Sequence, residues 1–245
     1  MGRTTHELVA RGLVKRYGRR EVVSGIDLAF PSGRVTGLLG PNGAGKTTTF
    51  YMLVGLVYPT AGEVMMDGRT ITGLPMHERA RAGIAYLPQE PSIFRRMTVE
   101  ENLKTVLEYA KMSRREQSNR VEAALTELNI RAIAKSPAFS LSGGERRRVE
   151  VARALVLSPS FFLLDEPFAG IDPMAVEDIQ NVILALREKG IGVVITDHNV
   201  RETLKITDEA YIIHDGRILA RGTPAQLAAD AEARRVFLGE TLTVQ

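Results

Sequence analysis

The sequence predicts an α/β protein with a parallel-sheet core, an antiparallel β-rich N-terminal part and an inserted helical segment. Three observations carry this prediction. Strand-length apolar runs recur along the chain: "RVTGLLG" from 34, "GIAYLPQ" from 83, "SFFLLDE" from 160, "GVVITDH" from 192 and "AYIIHDG" from 210. Most are separated by helical stretches, the alternation that builds a parallel sheet with helices on both faces. Between the second and third of these runs, residues 90–158 read mostly as helix. The first thirty residues hold two β-rich runs, "LVARGLVKRYG" and "REVVSGIDLAF", around a turn near Gly18.

In chain order, the strand at 34–40 feeds a glycine-rich turn, and a helix is expected from Lys46 to about Leu56. "GEVMMDGRTI" then reads as strand and turn. Thr98 with Glu101 and Ser113 with Glu116 match the spacing at which a capping hydroxyl and a carboxylate three residues on satisfy each other's backbone amides. Val121, Ala124, Leu125 and Leu128 share one helical face. The expected organisation is one composite domain: 1–89 and 159–222 form the core, 90–158 the helical insertion, and 223–245 a helical tail.

Bulk properties exclude several classes. With 44% hydrophobic and 25% charged residues, the chain has neither the profile of a disordered protein nor that of a membrane-embedded one. Its longest apolar runs are strand-length, far short of the roughly 20 residues a spanning helix needs. The N-terminus has no apolar signal core, and Gly2 is followed at position 6 by His6 where a myristoylation site has Ser or Thr. The absence of cysteine excludes disulfides and thiolate metal sites. A soluble intracellular protein is the resulting expectation. Net charge is +3, but the first twenty residues alone carry +5. A hairpin with solvated basic residues on its outer face accounts for that cluster without a nucleic-acid partner.

The stretch Gly40, Pro41, Asn42, Gly43, Ala44, Gly45, Lys46, Thr47, followed by Thr48, matches the phosphate-loop pattern G-x-x-x-x-G-K-[ST] in full, between an apolar strand and a helix. Glycines let backbone amides point at phosphate oxygens, which a helix N-terminus further favours. Lys46 would neutralise terminal phosphates, and the Thr47 hydroxyl would ligate Mg²⁺. Asp165 and Glu166 fall where an apolar strand ends, the edge at which open α/β sheets bind ligands. Asp165 suits magnesium, and Glu166 suits orienting and deprotonating an attacking water. Capping of the next helix falls instead to Asp172, with Pro173 at the favoured first position. His198 repeats the layout one strand later.

"LSGGE", residues 141–145, is a second potential anion-binding helix start. Ser142 and Glu145 have capping-box spacing, yet Gly143 and Gly144 weaken the first turn by roughly 1 kcal/mol each relative to alanine. Bare backbone approached by a ligand explains them. One loop wraps one side of a triphosphate, so a chain carrying one loop and one such turn can close two sites only by pairing with a copy or a relative.

The loop at 40–47, Gln89, the turn at 141–145, Asp165 with Glu166, and His198, in this order and spacing, resemble the ATP-binding-cassette ATPases over essentially the whole chain. The resemblance implies a P-loop NTPase fold with a RecA-like core, ATP as substrate, Mg²⁺ as cofactor and a head-to-tail homodimer. It implies that Tyr17 stacks on adenine and that Gln89 bridges Mg²⁺ and the helical insertion. It also implies that Ser142, Gly143 and Gly144 face the partner's ATP and that Asp172 lies in the loop crossing between subunits. That loop reads Ala169–Gly170–Ile171–Asp172 here, where many cassettes have small–Ala–Leu–Asp. Without a spanning segment, transport requires two separate permeases, expected to dock around Phe94 and Arg95 from the cytoplasmic face of the inner membrane. From composition alone, Phe94 fits an interface anchor and a core side chain equally.

Within the family, "PQEPSIFRRMTVEENL", "LSGGERRRVEVARAL", "LDEPFAGIDPMAVEDIQ", "ITDHNVRETL" and "RRVFLGE" are similar to the ATPase subunits of Gram-negative lipopolysaccharide exporters. A branched-chain amino-acid importer ATPase is the alternative within transport. A soluble cassette acting on ribosomes or DNA is disfavoured by the single cassette and the lack of a long coiled-coil insertion. A purely regulatory nucleotide-binding module is disfavoured by Glu166 and His198.

Overall fold

The computed structural model describes residues 5–108, 110, 112–170 and 172–238. The described chain starts with two long strands, β1 (Glu7–Tyr17) and β2 (Arg20–Pro31), joined by a tight turn in which Gly18 takes φ 59°. They pair antiparallel. β1 also pairs with β4 (Ala61–Met66), and β4 with β5 (Arg69–Thr70), giving an antiparallel sheet of order β2-β1-β4-β5. Arg11, Arg16, Arg19 and Arg20 are exposed on this hairpin.

The second sheet has the order β10-β9-β3-β8-β7-β6. Its strands are β3 (Val35–Leu39), β6 (Ile84–Leu87), β7 (Phe161–Asp165), β8 (Gly192–Thr196), β9 (Glu209–His214) and β10 (Arg217–Gly222). The pairs from β9 through β3, β8 and β7 to β6 are parallel, and β10 closes the edge antiparallel to β9. β3, β7 and β8 are buried at every position. That explains their unbroken apolar runs, since a parallel sheet is covered on both faces.

Alternate strand residues serve two cores. Phe162 and Leu164 of β7, with Val193 and Ile195 of β8, pack with α3 (Val99–Leu107), α4 (Arg114–Glu127), α5 (Gly143–Leu155) and α6 (Pro173–Glu188). Phe161, Leu163 and Val194 pack on α1 (Lys46–Val54) and on Leu8, Leu28 and Phe30 of the antiparallel sheet. Phe161 and Phe162 are fully buried, each stabilising the fold by about 1.5–3 kcal/mol. Helices were expected on both faces. The second face is instead covered largely by the antiparallel sheet, with α1 between the layers. β1 and β2 alternate buried and exposed residues, so they have an apolar face of their own to bury.

Local signals explain the helix ends. α1 stops at Val54 rather than near Leu56 because Gly55 turns left-handed, φ 88°, and returns its N–H to the Tyr51 carbonyl. Behind it, the fully buried Arg79 on α2 (Met76–Arg81) donates to the Met52, Leu53, Leu74 and Thr72 carbonyls. Burial lowers its pKa to about 10. A cation against the last carbonyls of α1 complements the helix dipole. Thr98 and Ser142 each complete a capping box. Ser113 receives the Glu116 N–H, but the Glu116 carboxylate pairs with Arg120 at 3.2 Å rather than closing the box. Val121, Ala124, Leu125 and Leu128 are all buried, as their spacing predicts. The tail begins with a helix over Pro224–Ala229, while residues 239–245 lie outside the described residues.

Candidate nucleotide site

Because β3, β8, β7 and β6 are parallel neighbours, the segments leaving their C-terminal ends share one edge of the sheet. The phosphate loop follows β3, Gln89 follows β6, Asp165 ends β7 with Glu166 directly after it, and His198 follows β8.

The loop folds as it does because three of its residues lack a side chain. Gly40 sits at φ 149°, where a Cβ would fall 2.1 Å from the Ile213 carbonyl oxygen, and Gly45 at φ 102°, where a Cβ would fall 2.7 Å from the Val22 carbonyl oxygen. Gly43, at φ 80°, needs the same permissive backbone without a steric neighbour. Gly45 caps α1 with no side-chain bond, leaving the first-turn amides open to an anion. Lys46 donates to the carbonyls of Gly40 at 2.7 Å and Pro41 at 2.9 Å. Burial lowers the pKa of its ammonium, opposed by the nearby Glu166 carboxylate. Ala44 is buried, Thr48 half-buried, and Asn42 and Thr47 face solvent.

Asp165 is buried, with the Tyr86 hydroxyl 3.4 Å from its Oδ2. Its carboxyl is pushed above the usual carboxylate range, first by burial and then by Glu166. The Tyr86 hydroxyl is itself pushed up, by burial and then by the Asp165 charge. Glu166 adopts φ 43°, in the left-handed region that non-glycine residues rarely enter. Its Oε2 accepts from Gln89 Nε2 at 2.9 Å and lies 3.3 Å from His198 Nδ1. Three predicted residues from three strand ends therefore meet on one carboxylate oxygen.

Asp197, just before His198, did not stand out in the sequence. It is fully buried, accepts from the backbone N–H groups of Phe168 and Asn199, and lies 3.5 Å from His198 Nδ1. Burial raises its pKa against those hydrogen bonds. It ties the segment after β7 to the segment after β8 beneath the imidazole. Its only sequence signal was a polar residue directly at the end of an apolar run.

The donor set fits a magnesium–triphosphate ligand. Asp165 supplies a hard carboxylate, Thr47 a hydroxyl and Gln89 an amide. No cluster of three His, Cys, Asp or Glu that could hold a metal exists among the described residues. In nucleotide sites magnesium generally takes one or two protein oxygens plus substrate phosphates, a share these three side chains are chemically able to supply.

The remaining predicted residues lie outside this constellation of contacts. Tyr17 is exposed, with Lys15 Nζ 5.1 Å from its ring centroid. Ser142 and Glu145 bond each other at the start of α5. A Cβ at Gly143 would meet nothing within 4 Å, and one at Gly144 only the Ala175 Cβ at 3.6 Å. Asp172 caps α6 through the Ala175 N–H at 3.1 Å, and Ile171 lies outside the described residues. Phe94 is 45% exposed, which rules out a core role.

A phosphate loop, a carboxylate pair and a histidine on the C-terminal edge of a parallel sheet define a nucleotide-hydrolysing cassette. The family model described as "ABC transporter" matches residues 23–169, and the chain belongs to that family: it is an ATP-binding, ATP-hydrolysing transporter subunit. It is 55% identical over 237 residues to the lipopolysaccharide export system ATP-binding protein LptB of Acidithiobacillus ferridurans, covering 97% of this chain and 98% of that protein. With LptB of Escherichia coli K12 the identity is 52% over 234 residues, covering 95% and 97%. Among solved structures, the ADP conformation of MJ1267, an ATP-binding cassette of an ABC transporter, superposes with a TM-score of 0.85 at 29% identity, covering 97% of this chain and all of that one. No helix among the described residues is long and apolar enough to cross a membrane.

Proposed function

We propose that two copies of this chain pair head to tail beneath two permeases on the cytoplasmic face of the inner membrane and energise lipopolysaccharide export. Full-length identity of 52–55% to proteins named for that system supports the cargo. The observation carrying the paired arrangement is the bare turn at Gly143, whose glycine the chain's own packing does not require. A triphosphate held on one side by the loop at 40–47 is closed on the other by the partner copy's turn at 142–144, and Tyr17 stacks on the adenine.

On binding, Lys46 exchanges the Gly40 and Pro41 carbonyls for phosphate oxygens. Thr47, Asp165 and Gln89 would hold Mg²⁺, which when bound would neutralise charge developing on the phosphates. Glu166 accepts a proton from the attacking water, and His198 holds that carboxylate and a terminal phosphate oxygen in register. Closure on ATP and opening after hydrolysis follow from contacts made only in the closed state. Phe94 and Arg95 provide the permease contact on a helical unit, 90–158, that moves with the signature turn.

Glu166→Gln tests the scheme. It keeps the shape of the side chain while removing the base, so ATP should convert the purified variant to a dimer on size-exclusion chromatography. A variant that stays monomeric with ATP sinks the paired arrangement.

A further inference from the structure

Helix α5 carries the signature turn at its N-terminus, and one of its faces carries three charged residues with no place in the chemistry above. Arg147 Nη1 donates to the Pro88 carbonyl at 2.9 Å and to Glu150 Oε2 at 3.2 Å. Glu150 Oε1 accepts the Ser92 N–H at 2.6 Å. Arg153 donates to the Ser92 carbonyl at 2.7 Å and hydroxyl at 2.6 Å, and its guanidinium lies 5.3 Å from the centroid of the exposed Phe94 ring. Spacing of three along a helix keeps these residues on one side of it. They therefore hold both ends of the segment from Pro88 to Phe94.

Stability alone is a poor account of this arrangement. Arg147 and Glu150 are 6% and 3% exposed, and Arg147 Nε and Nη2 make no hydrogen bond among the described residues. Burial lowers the pKa of both arginines. Buried ion pairs with orphaned donors are seldom better than apolar packing of the same volume. What the arrangement does provide is continuity. Gln89, next to Pro88, donates to Glu166 at 2.9 Å, so Phe94, Arg153, Ser92, Glu150, Arg147 and Gln89 form an unbroken path from the exposed ring to the base.

We propose that Arg147, Glu150 and Arg153 are positioning residues that clamp the 88–94 segment to the signature helix, so that displacement of Phe94, of Gln89 against Glu166, and of the signature turn is one rigid movement. The proposal rests on the roles given above to Glu166 and the Phe94 surface.

Steady-state ATP hydrolysis by the purified full chain tests it. Arg153→Gln should lower kcat about ten-fold, short of the roughly hundred-fold that a 1 Å misplacement can cost, with KM and Tm little changed. Arg153→Lys, which keeps a donor toward Ser92, should recover part of the loss. In a Gln89→Ala background Arg153→Gln should produce no further decrease, because the clamp acts through Gln89. Losses that multiply independently, a wild-type kcat in Arg153→Gln, or kcat losses that track falling Tm all overturn the clamp. Failure of the underlying reading has a separate signature, a Glu166→Gln chain that turns over ATP at the wild-type rate.

Discussion

Glu166 holds a backbone conformation of the kind that costs on the order of 1 kcal/mol or more for a side-chain-bearing residue, and its N–H is fixed to the Thr196 carbonyl at 2.7 Å. Asp165 beside it bears a different burden, a carboxylate kept out of water with its pKa raised. The resting protein is thereby less stable than its packing permits. Asp165→Asn should raise Tm by about 2–4 °C at pH 8, the effect of ~1 kcal/mol in a chain of this length, while abolishing ATP hydrolysis. The sign follows from proton linkage. A folded-state pKa above the unfolded value means the folded state binds more protons between the two, so stability falls as pH rises through that window. The advantage of Asp165→Asn should therefore shrink toward about pH 4, near the unfolded aspartate value, and paired melts at the two pH values would reveal it. Motif and strand-end position made Asp165, Glu166 and His198 legible in the sequence. Asp197 was not, because its role depends on the backbone of Phe168, twenty-nine residues away, which no local pattern encodes.

At the scale of elements, the two glycine-bearing helix starts, at Gly45 and at Ser142, obey opposite constraints. Gly40 and Gly45 are demanded by contacts within the chain, whereas Gly143 is not. Gly143→Ala should leave Tm unchanged or slightly higher, since alanine favours the first helical turn by roughly 0.5–1 kcal/mol. ATP-driven dimerisation and turnover should nonetheless fall sharply; retention of both would remove the reason for the glycine. Capping boxes and the apolar face of α4 could be read directly because their partners lie within four residues. The antiparallel N-terminal part was legible too, but its placement over the second face of the core was not, because pairing of β1 with β4 is set by residues some fifty positions apart. The Ser113 box likewise failed for a reason outside its motif, the competing Arg120.

Across the whole molecule, the phosphate-binding edge and the Phe94 surface belong to different layers joined by α5 and the 88–94 segment. The Phe94 backbone is fixed from both sides by the fully buried Asn102, which accepts its N–H at 2.8 Å and donates to its carbonyl at 3.1 Å. Only the ring is offered outward. Phe94→Ala should weaken co-purification with permeases from solubilised membranes while the isolated chain keeps its ATPase activity; undiminished co-purification would remove the ring from the permease contact. The open space around Gly143 also has a genetic consequence. A substitution there would yield a chain that folds, escapes quality control and competes with normal copies for the permeases. In a cell expressing both versions, most assemblies would carry at least one spoiled chamber, so such an allele should behave as a dominant inhibitor, whereas a Gly40 allele, misfolded and degraded, should be silent.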